Sequence, residues 1–475
     1  MKKRFAVCAA LSALLAVSAL PAVSASAAVP YSPTRPADDS IETTSLTKYL
    51  VMDKDASVPV ATFTYSLAPG TAISDPAEGK LAVIPGITTG VSGGSGATAP
   101  GVRFAPEDSA RLESAKLTAD SPVFKTPDDT DEKYVTKDAV FDFSGVAFTE
   151  PGVYRYIVTE DDGTNQGVTN GFEGTGADAL TVRTLDVYVE NAFDANNEII
   201  TDSDGKPQLK ITGYVWYDGT VTTAPSAEEN MDAEPPVSGK PEGSTKRPYI
   251  TNYYDTANLT FAKAVKGNQG SRDKYFKFTL VISNLKEAGT LMNVDITNAS
   301  NAVPASPNAA TRTGYAQKTN PQQLEVDVEK TIPNNGYKVE SVTVGTGTDT
   351  STTYTLTAEY YLQHGQYITV QGVPKGASYS LTEDAEDYTS AASITAADSF
   401  LNYDGREGND ALSGSMSDTI GDADIYMGFT NTRSGVIPTG VLLTVAGSAG
   451  VCAVGLGGAL FFWIKSRRRK DDGEE

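Results

Sequence analysis

The chain has 475 residues, with 60 acidic against 38 basic side chains and a formal net charge of −22. That balance repels polyanions, so nucleic acid is excluded as a partner, and it suits a soluble, self-repelling extracellular protein. One histidine and two cysteines in the whole chain leave little for thiol, zinc or histidine-dependent chemistry.

The chain opens with Lys2, Lys3 and Arg4, then the apolar run Phe5 to Leu20, then the small residues Ala25-Ser26-Ala27. This order predicts a secretory signal peptide over 1–27 in preference to a buried or membrane helix. Cys8 and Cys452 lie in the two hydrophobic end segments. The body of an exported chain is therefore free of cysteine, although such proteins often rely on disulfides. From about residue 40 onward, period-two stretches alternate with turn signals: ATFTYSL (61–67), VYRYIVTE (153–160), LTVRTLDVYVE (180–190), KFTLVIS (277–283), TYTLTAEYYL (353–362) and SYSLTE (378–383). The pattern predicts an all-β chain of immunoglobulin-like β-sandwiches. One short helix is expected in a loop at PEDSARLESAKL (106–117).

Several local signals carry no chemistry. The Gly-rich 90–101 segment lacks a Gly-Lys-Ser/Thr and is no phosphate loop. TDSDGKP (201–207) has part of a calcium loop but not its later glutamate, and reads as a hairpin turn. Trp216 reads as a packing residue, and His364, between Gln363 and Gly365, as a histidine in a surface turn. Neither a metal-ligand set nor a cofactor motif is present. The stretch 221–248 is rich in Pro, Ser and Glu and reads as a loop presenting Lys240 and Lys246. At the C-terminal end, VIPTG is followed by Val441 to Ile464, 24 uncharged residues long enough to cross a bilayer. Lys465, Arg467, Arg468, Arg469 and Lys470 then keep the far side in the cytoplasm.

Three kinds of strand occur twice, in the same order. A lysine-bearing strand (SLTKYLV, 45–51; NLTFAKAVKG, 258–267) precedes a strand ending in glutamate (PGVYRYIVTE, 151–160; PKGASYSLTE, 374–383). A strand ending in Thr-Asn closes each set (RPYITNYY, 247–254; YMGFTNTR, 426–433). Residues two apart in a strand share a face. Lys48 therefore lies with Leu46 and Leu50, and Lys263 with Phe261 and Val265; Lys266, an odd step away, is the alternative to Lys263, and phase favours Lys263. Glu160 follows Tyr154, Tyr156 and Val158, and Glu383 follows Tyr379 and Leu381. Asn252 sits with Ile250, and Asn431 with Met427 and Phe429. Each repeat thus aims a lysine, a glutamate and an asparagine into apolar surroundings, which is costly if they stay unpaired. Two readings stand. One is a buried Lys–Glu ion pair with a hydrogen-bonded asparagine. The other is covalent: desolvation neutralises the amine and protonates the carboxyl, and the amine attacks the asparagine side-chain amide and expels ammonia.

These motifs, LTKYL and LTFAK, the G-x-Y-x-Y-x-V-x-E strand from Gly152 to Glu160, its counterpart from Gly376 to Glu383, and the closing [IF]-T-N strands, resemble the isopeptide-linked (CnaB-type) domains of sortase-assembled major pilins of Gram-positive bacteria, of the streptococcal T-antigen type. The resemblance covers nearly all of 40–434. It implies two sandwich domains, 40–254 and 255–434, with amides Lys48–Asn252 and Lys263–Asn431 assisted by Glu160 and Glu383. A first linkage closing about 200 residues is worth about 5 kcal/mol by analogy with disulfides, and tension on the ends would fall on a covalent bond. The segment 436–475 resembles a sorting signal in a variant form, with cleavage between Thr439 and Gly440. Lys246, then Lys240, is the candidate acceptor lysine on the next subunit. The expected protein is a structural, non-enzymatic pilus subunit without cofactor, its partners sortase and identical subunits, with ancillary pilins and peptidoglycan as candidate partners. It is expected outside the cell, in the pilus and wall, and in the membrane only as a precursor. The alternative is an ancillary pilin or wall-anchored adhesin for a host ligand; a surface enzyme has no site to support it.

Overall fold

A computed structural model describes residues 41–435 apart from 93–98, 112, 115–131, 162–164, 171–180, 227–245, 299–320, 330–335, 346–349 and 395–414. The expected signal peptide, Lys240, Thr439, Gly440 and the apolar 441–464 span lie outside the described residues. Among the described residues no helix is long and apolar enough to cross a membrane.

Before Asp255 the strands are β1 (Thr43–Asp53), β2 (Ala61–Pro69), β3 (Val83–Pro85), β4 (Ala99–Phe104), β5 (Glu113–Ser114), β6 (Glu132–Asp142), β7 (Gly152–Asp161), β8 (Val168–Asn170), β9 (Val182–Asn191), β10 (Leu209–Asp218) and β11 (Tyr249–Tyr254). After it come β12 (Thr256–Lys266), β13 (Phe276–Leu285), β14 (Leu291–Asn298), β15 (Gln323–Glu325), β16 (Tyr337–Val344), β17 (Ser351–Leu362), β18 (Gln366–Pro374), β19 (Ser378–Asp384), β20 (Thr389–Ile394), β21 (Ser415–Thr419) and β22 (Ile425–Thr432). The first set forms the sheets β5-β6-β1-β11-β8 and β10-β9-β7-β2-β4, with β3 added beside β7. The second set forms β15-β14-β18-β12-β22-β20 and β16-β17-β13-β19-β21. Every sheet is built from residues on one side of Asp255 only. Each stretch singled out by period-two patterning falls on a strand, the 180–190 stretch from Val182 on.

The alternation supplies the cores. In β2, Ala61, Phe63, Tyr65 and Leu67 are buried while Thr62 and Ser66 are exposed. In β13, Phe276, Phe278, Leu280 and Ile282 point inward. Aromatic contacts bridge the two layers of each half. Tyr65 meets Phe141 of β6 at 6.1 Å between ring centres, and Phe141 meets Trp216 at 5.4 Å. In the second half Phe278 meets Phe261 at 5.5 Å and Phe429 at 5.2 Å. A β-sandwich follows in each half, because two sheets with one apolar face each must cover one another.

The first and last strands of each half are neighbours and run parallel. In β1–β11, Lys48 stands opposite Ile250 and Leu50 opposite Asn252. In β12–β22, Lys263 stands opposite Phe429 and Val265 opposite Asn431. The lysine and asparagine are therefore offset by the same two residues in both halves. That even step keeps them on one face, within reach of a lysine side chain. Only Asp255 separates β11 from β12. Its backbone N–H donates to Gly167 O at 2.7 Å, and its carbonyl accepts the Lys375 N–H at 3.0 Å.

Two expectations need correction. Of the helix expected over 106–117, the described residues form a 3₁₀ turn over Pro106–Arg111 and the short strand β5 paired with β6. Asp108 explains the tight turn. Its carboxylate accepts the Ala105 N–H at 2.9 Å and pairs with Lys137 at 2.7 Å, which ties the segment to β6. His364 does sit in a turn, but its ring is half-buried, with Nδ1 accepting the Val265 N–H at 3.0 Å. Burial is the largest influence lowering its pKa, with Arg272 and Lys263 adding to it. The turn at 201–207 is a hairpin in which Asp202 Oδ1 accepts the N–H groups of Asp204 and Lys206 at 2.9 Å each. Trp216 is a core residue whose Nε1 donates to Thr44 Oγ1 at 3.0 Å.

Candidate functional site: two buried lysine–glutamate–asparagine clusters

In each half the lysine comes from the first strand, the asparagine from the parallel last strand, and the glutamate from the opposite sheet. Lys48 and Asn252 are 0% exposed and Glu160 5%; Lys263 and Asn431 are 0% and Glu383 7%. Side chains of this kind are almost never so deeply buried without a specific cause.

In the first cluster Lys48 Nζ donates to both Glu160 oxygens at 2.7 Å and to Asn252 Oδ1 at 2.5 Å. The last distance is shorter than an ordinary N–H···O bond. Nζ lies 4.1 Å from the centre of the Phe63 ring. Asn252 Nδ2 points the other way and donates to Asn170 Oδ1 at 3.3 Å. Tyr65 is the cross-strand neighbour of Glu160. Burial first, and the Glu160 carboxylate second, push its hydroxyl well above the usual tyrosine range.

The second cluster repeats the arrangement with different polar contacts. Lys263 Nζ lies 2.6 Å from Glu383 Oε1, and 4.6 Å from the centre of the Phe276 ring. That close contact lacks hydrogen-bond geometry, and Nζ, Glu383 Oε2 and Asn431 Oδ1 are without hydrogen-bond partners. Asn431 Nδ2 donates to Glu383 Oε1 at 2.9 Å. Burial lowers the Lys263 pKa to about 8, against the opposing pull of Glu383. Burial likewise raises the Glu383 carboxyl above its ordinary value. Both shifts favour the uncharged forms, a neutral amine beside a carboxylic acid.

A prediction follows for a chain that keeps this cluster unlinked, as in Asn431→Ala. The folded pKa of Lys263 is below its unfolded value. Between about pH 8 and 10.5 the unfolded chain holds a proton the folded chain has lost, so stability rises with pH across that window. Glu383 is raised, so above its ordinary value of 4.5 the folded chain holds the extra proton, and stability falls as pH climbs toward the folded value. Urea unfolding of Asn431→Ala should therefore show a stability minimum between these windows, with a recovery of about 3 kcal/mol on the alkaline side. A flat profile, or one that falls through pH 8–10, would contradict the neutral-amine assignment.

The structure brings together six of the sequence-derived residues, three in each half. Lys246 lies elsewhere, partly exposed at the start of the last-strand approach, where it bridges to Tyr217. Sequence reasoning missed three contributors. Phe63 and Phe276 cover the two amines, and their only signal was the shared face of their strands. Asn170 comes from a three-residue edge strand that no pattern announced.

These features define a class: an all-β protein of paired sandwiches, each with a buried Lys–Glu–Asn cluster joining its first and last strands. Residues 257–433 match a family described as a domain of unknown function, DUF7601. The chain is 27% identical over 332 residues to a pilin of Streptococcus pyogenes serotype M1, covering 69% of this chain and 71% of that protein. The crystal structure of the major pilin from Streptococcus pyogenes aligns over 83% of this chain and 99% of its own, at 22% identity and a TM-score of 0.43. The T-13 major pilin of the same species aligns over 83% and 98%, at 20% identity and a TM-score of 0.39. The chain resembles a streptococcal-type major pilin.

Proposed function

We propose that the chain is a structural subunit of a cell-surface pilus, organised as two domains over 40–254 and 255–434, each closed by an amide between its buried lysine and asparagine. The observation that carries this reading is the duplicated cluster itself. Keeping a lysine, a carboxyl and an amide buried, with Glu383 Oε2 and Asn431 Oδ1 lacking hydrogen-bond partners, carries a desolvation cost that the ion pair alone does not repay. Conversion to a neutral secondary amide removes the charge and consumes the amine.

In the reaction the unprotonated Nζ attacks Cγ of the asparagine. The Nζ–Cγ bond forms and the Cγ–Nδ2 bond breaks. Nδ2 leaves as ammonia, carrying its own two hydrogens and one that came from the amine. The protonated glutamate polarises the amide, relays the proton and ends unchanged. The step occurs once per domain, so the protein is a substrate of its own fold and not an enzyme.

Assembly is then an external step. A sortase cleaves between Thr439 and Gly440 and transfers Thr439 to a lysine of the next identical subunit, with Lys246 as first candidate and Lys240 as second. The signal peptide 1–27 exports the precursor and the 441–464 span holds it until transfer. The mature subunit belongs to the pilus and wall of a Gram-positive cell.

Intact mass tests the internal bonds. The purified chain is expected to be lighter than its sequence by one ammonia per domain. Glu160→Ala and Glu383→Ala should each regain one ammonia. A mass equal to the sequence would leave two buried ion pairs in place of the linkages.

A further inference from the structure

We infer that Asn170 is a positioning residue for the first linkage: it fixes the orientation of the Asn252 amide and receives the departing ammonia. The inference rests on the amide-forming reading above. A primary amide can sit in either of two flips, with oxygen and nitrogen exchanged. Here Asn252 Oδ1 accepts from Lys48 at 2.5 Å while Nδ2 donates to Asn170 Oδ1 at 3.3 Å. This flip turns the nitrogen that must leave away from the incoming amine.

Placement supports the assignment. Asn170 stands directly opposite Asn252 on β8, the edge strand of its sheet, and is itself exposed while Asn252 is fully buried. Its exposed side chain reaches the buried amide. On its far side the reacting pair faces the Phe63 ring and the Glu160 carboxyl. The strand is held in place from below. Asn165 exchanges two hydrogen bonds with the Thr62 backbone, at 2.9 and 2.8 Å. Gly167 makes the turn with φ of 74° and accepts the Asp255 N–H at 2.7 Å.

Among the described residues the second half lacks the device. Ser390 on the edge strand β20 takes the place opposite Asn431, but Asn431 turns its Nδ2 to Glu383. The two halves of one chain therefore provide their own control. An acceptor oxygen is what the geometry asks of residue 170; the donor half of its amide has no part.

The test is a pulse–chase synthesis of the full chain, with proteolysis at intervals and quantification of the two cross-linked peptides. Asn170→Ala is expected to slow the Lys48–Asn252 linkage about fivefold, the effect of one neutral hydrogen bond, and to leave Lys263–Asn431 unchanged. Asn170→Asp, which keeps the acceptor, is expected to restore the parent rate. Equal rates for the first linkage in Asn170→Ala and the parent would overturn the inference. So would equal slowing of both linkages, which marks a general folding defect, or failure of the aspartate to rescue. Absence of both linkages from the parent chain would instead remove the amide-forming reading on which the inference stands.

Discussion

Asn252→Ala is expected to lower the thermal transition of the first half by about 10–20 °C while leaving that of the second half in place. The amide proposed between Lys48 and Asn252 joins residues 204 apart. Closing a loop of that size removes unfolded-state entropy worth about 5 kcal/mol. For a unit of roughly 200 residues each kcal/mol moves the midpoint by about 2–4 °C. The figure is large against a typical total stability of about 5–15 kcal/mol. Lys48 keeps its two contacts to Glu160 in this variant, so the loss reports the missing closure and not an abandoned charge. Calorimetry resolving two transitions checks it, together with a mass that regains a single ammonia. A shift of only a degree or two in the first transition would mean that no bond had been lost.

Lys246→Ala is expected to abolish the ladder of covalent multimers that the parent forms in cells carrying its sortase, leaving monomer only. The proposed acceptor role of Lys246 is supported by its setting. Its backbone bridges to Tyr217, and the next residue, Arg247, donates its N–H to Trp216 O at 2.9 Å. The amine therefore leaves from an ordered base beside the last strand, unlike the two fully buried lysines, which no enzyme can reach. Lys240→Ala should keep the ladder. Loss with Lys240→Ala alone would transfer the role to that residue, and persistence through both substitutions would end the assignment of either. A parent without any ladder would favour an anchored adhesin.

Much of this architecture was legible in period-two patterning, because a strand with one buried face cannot hide its alternation. The same parity placed Lys48, Lys263, Glu160, Glu383, Asn252 and Asn431 inward, since a polar residue in phase with Leu46 and Leu50 or with Met427 and Phe429 goes where they go. Other features depend on partners distant in sequence and left no local trace. Arg155 is one. It lies in the strand of Glu160 but on the outer face, where it is 1% exposed and forms a two-pronged pair with Asp186 at 2.7 Å for each bond. Its remaining nitrogen donates to Val221 O and Thr223 O. Only the loop folded over that face makes burial of an arginine tolerable. His364 is another: its turn was readable, but the half-burial of its ring comes from packing against β12. Over its described residues the segment expected to be helical from 106 to 117 is a 3₁₀ turn and the short strand β5, and the Asp108–Lys137 pair that ties it to β6 is one no helical period can announce.

The parallel pairing of first and last strands decides where tension travels. In the proposed fibre, with Lys246 joined to the preceding subunit and Thr439 to the next, force enters at 246 and runs along β11, through Asp255 and up β12 to Lys263. There it crosses the proposed amide to Asn431 and leaves by 439. Residues 264–430 and those before 246, Lys48 among them, lie beside that line, so on this path the second amide bears the pull and the first, expected to bear tension on the ends of its domain, does not. Those bypassed regions contain most of both cores. Their sequence can drift, lengthen or change its exposed face without weakening the thread that joins one subunit to another.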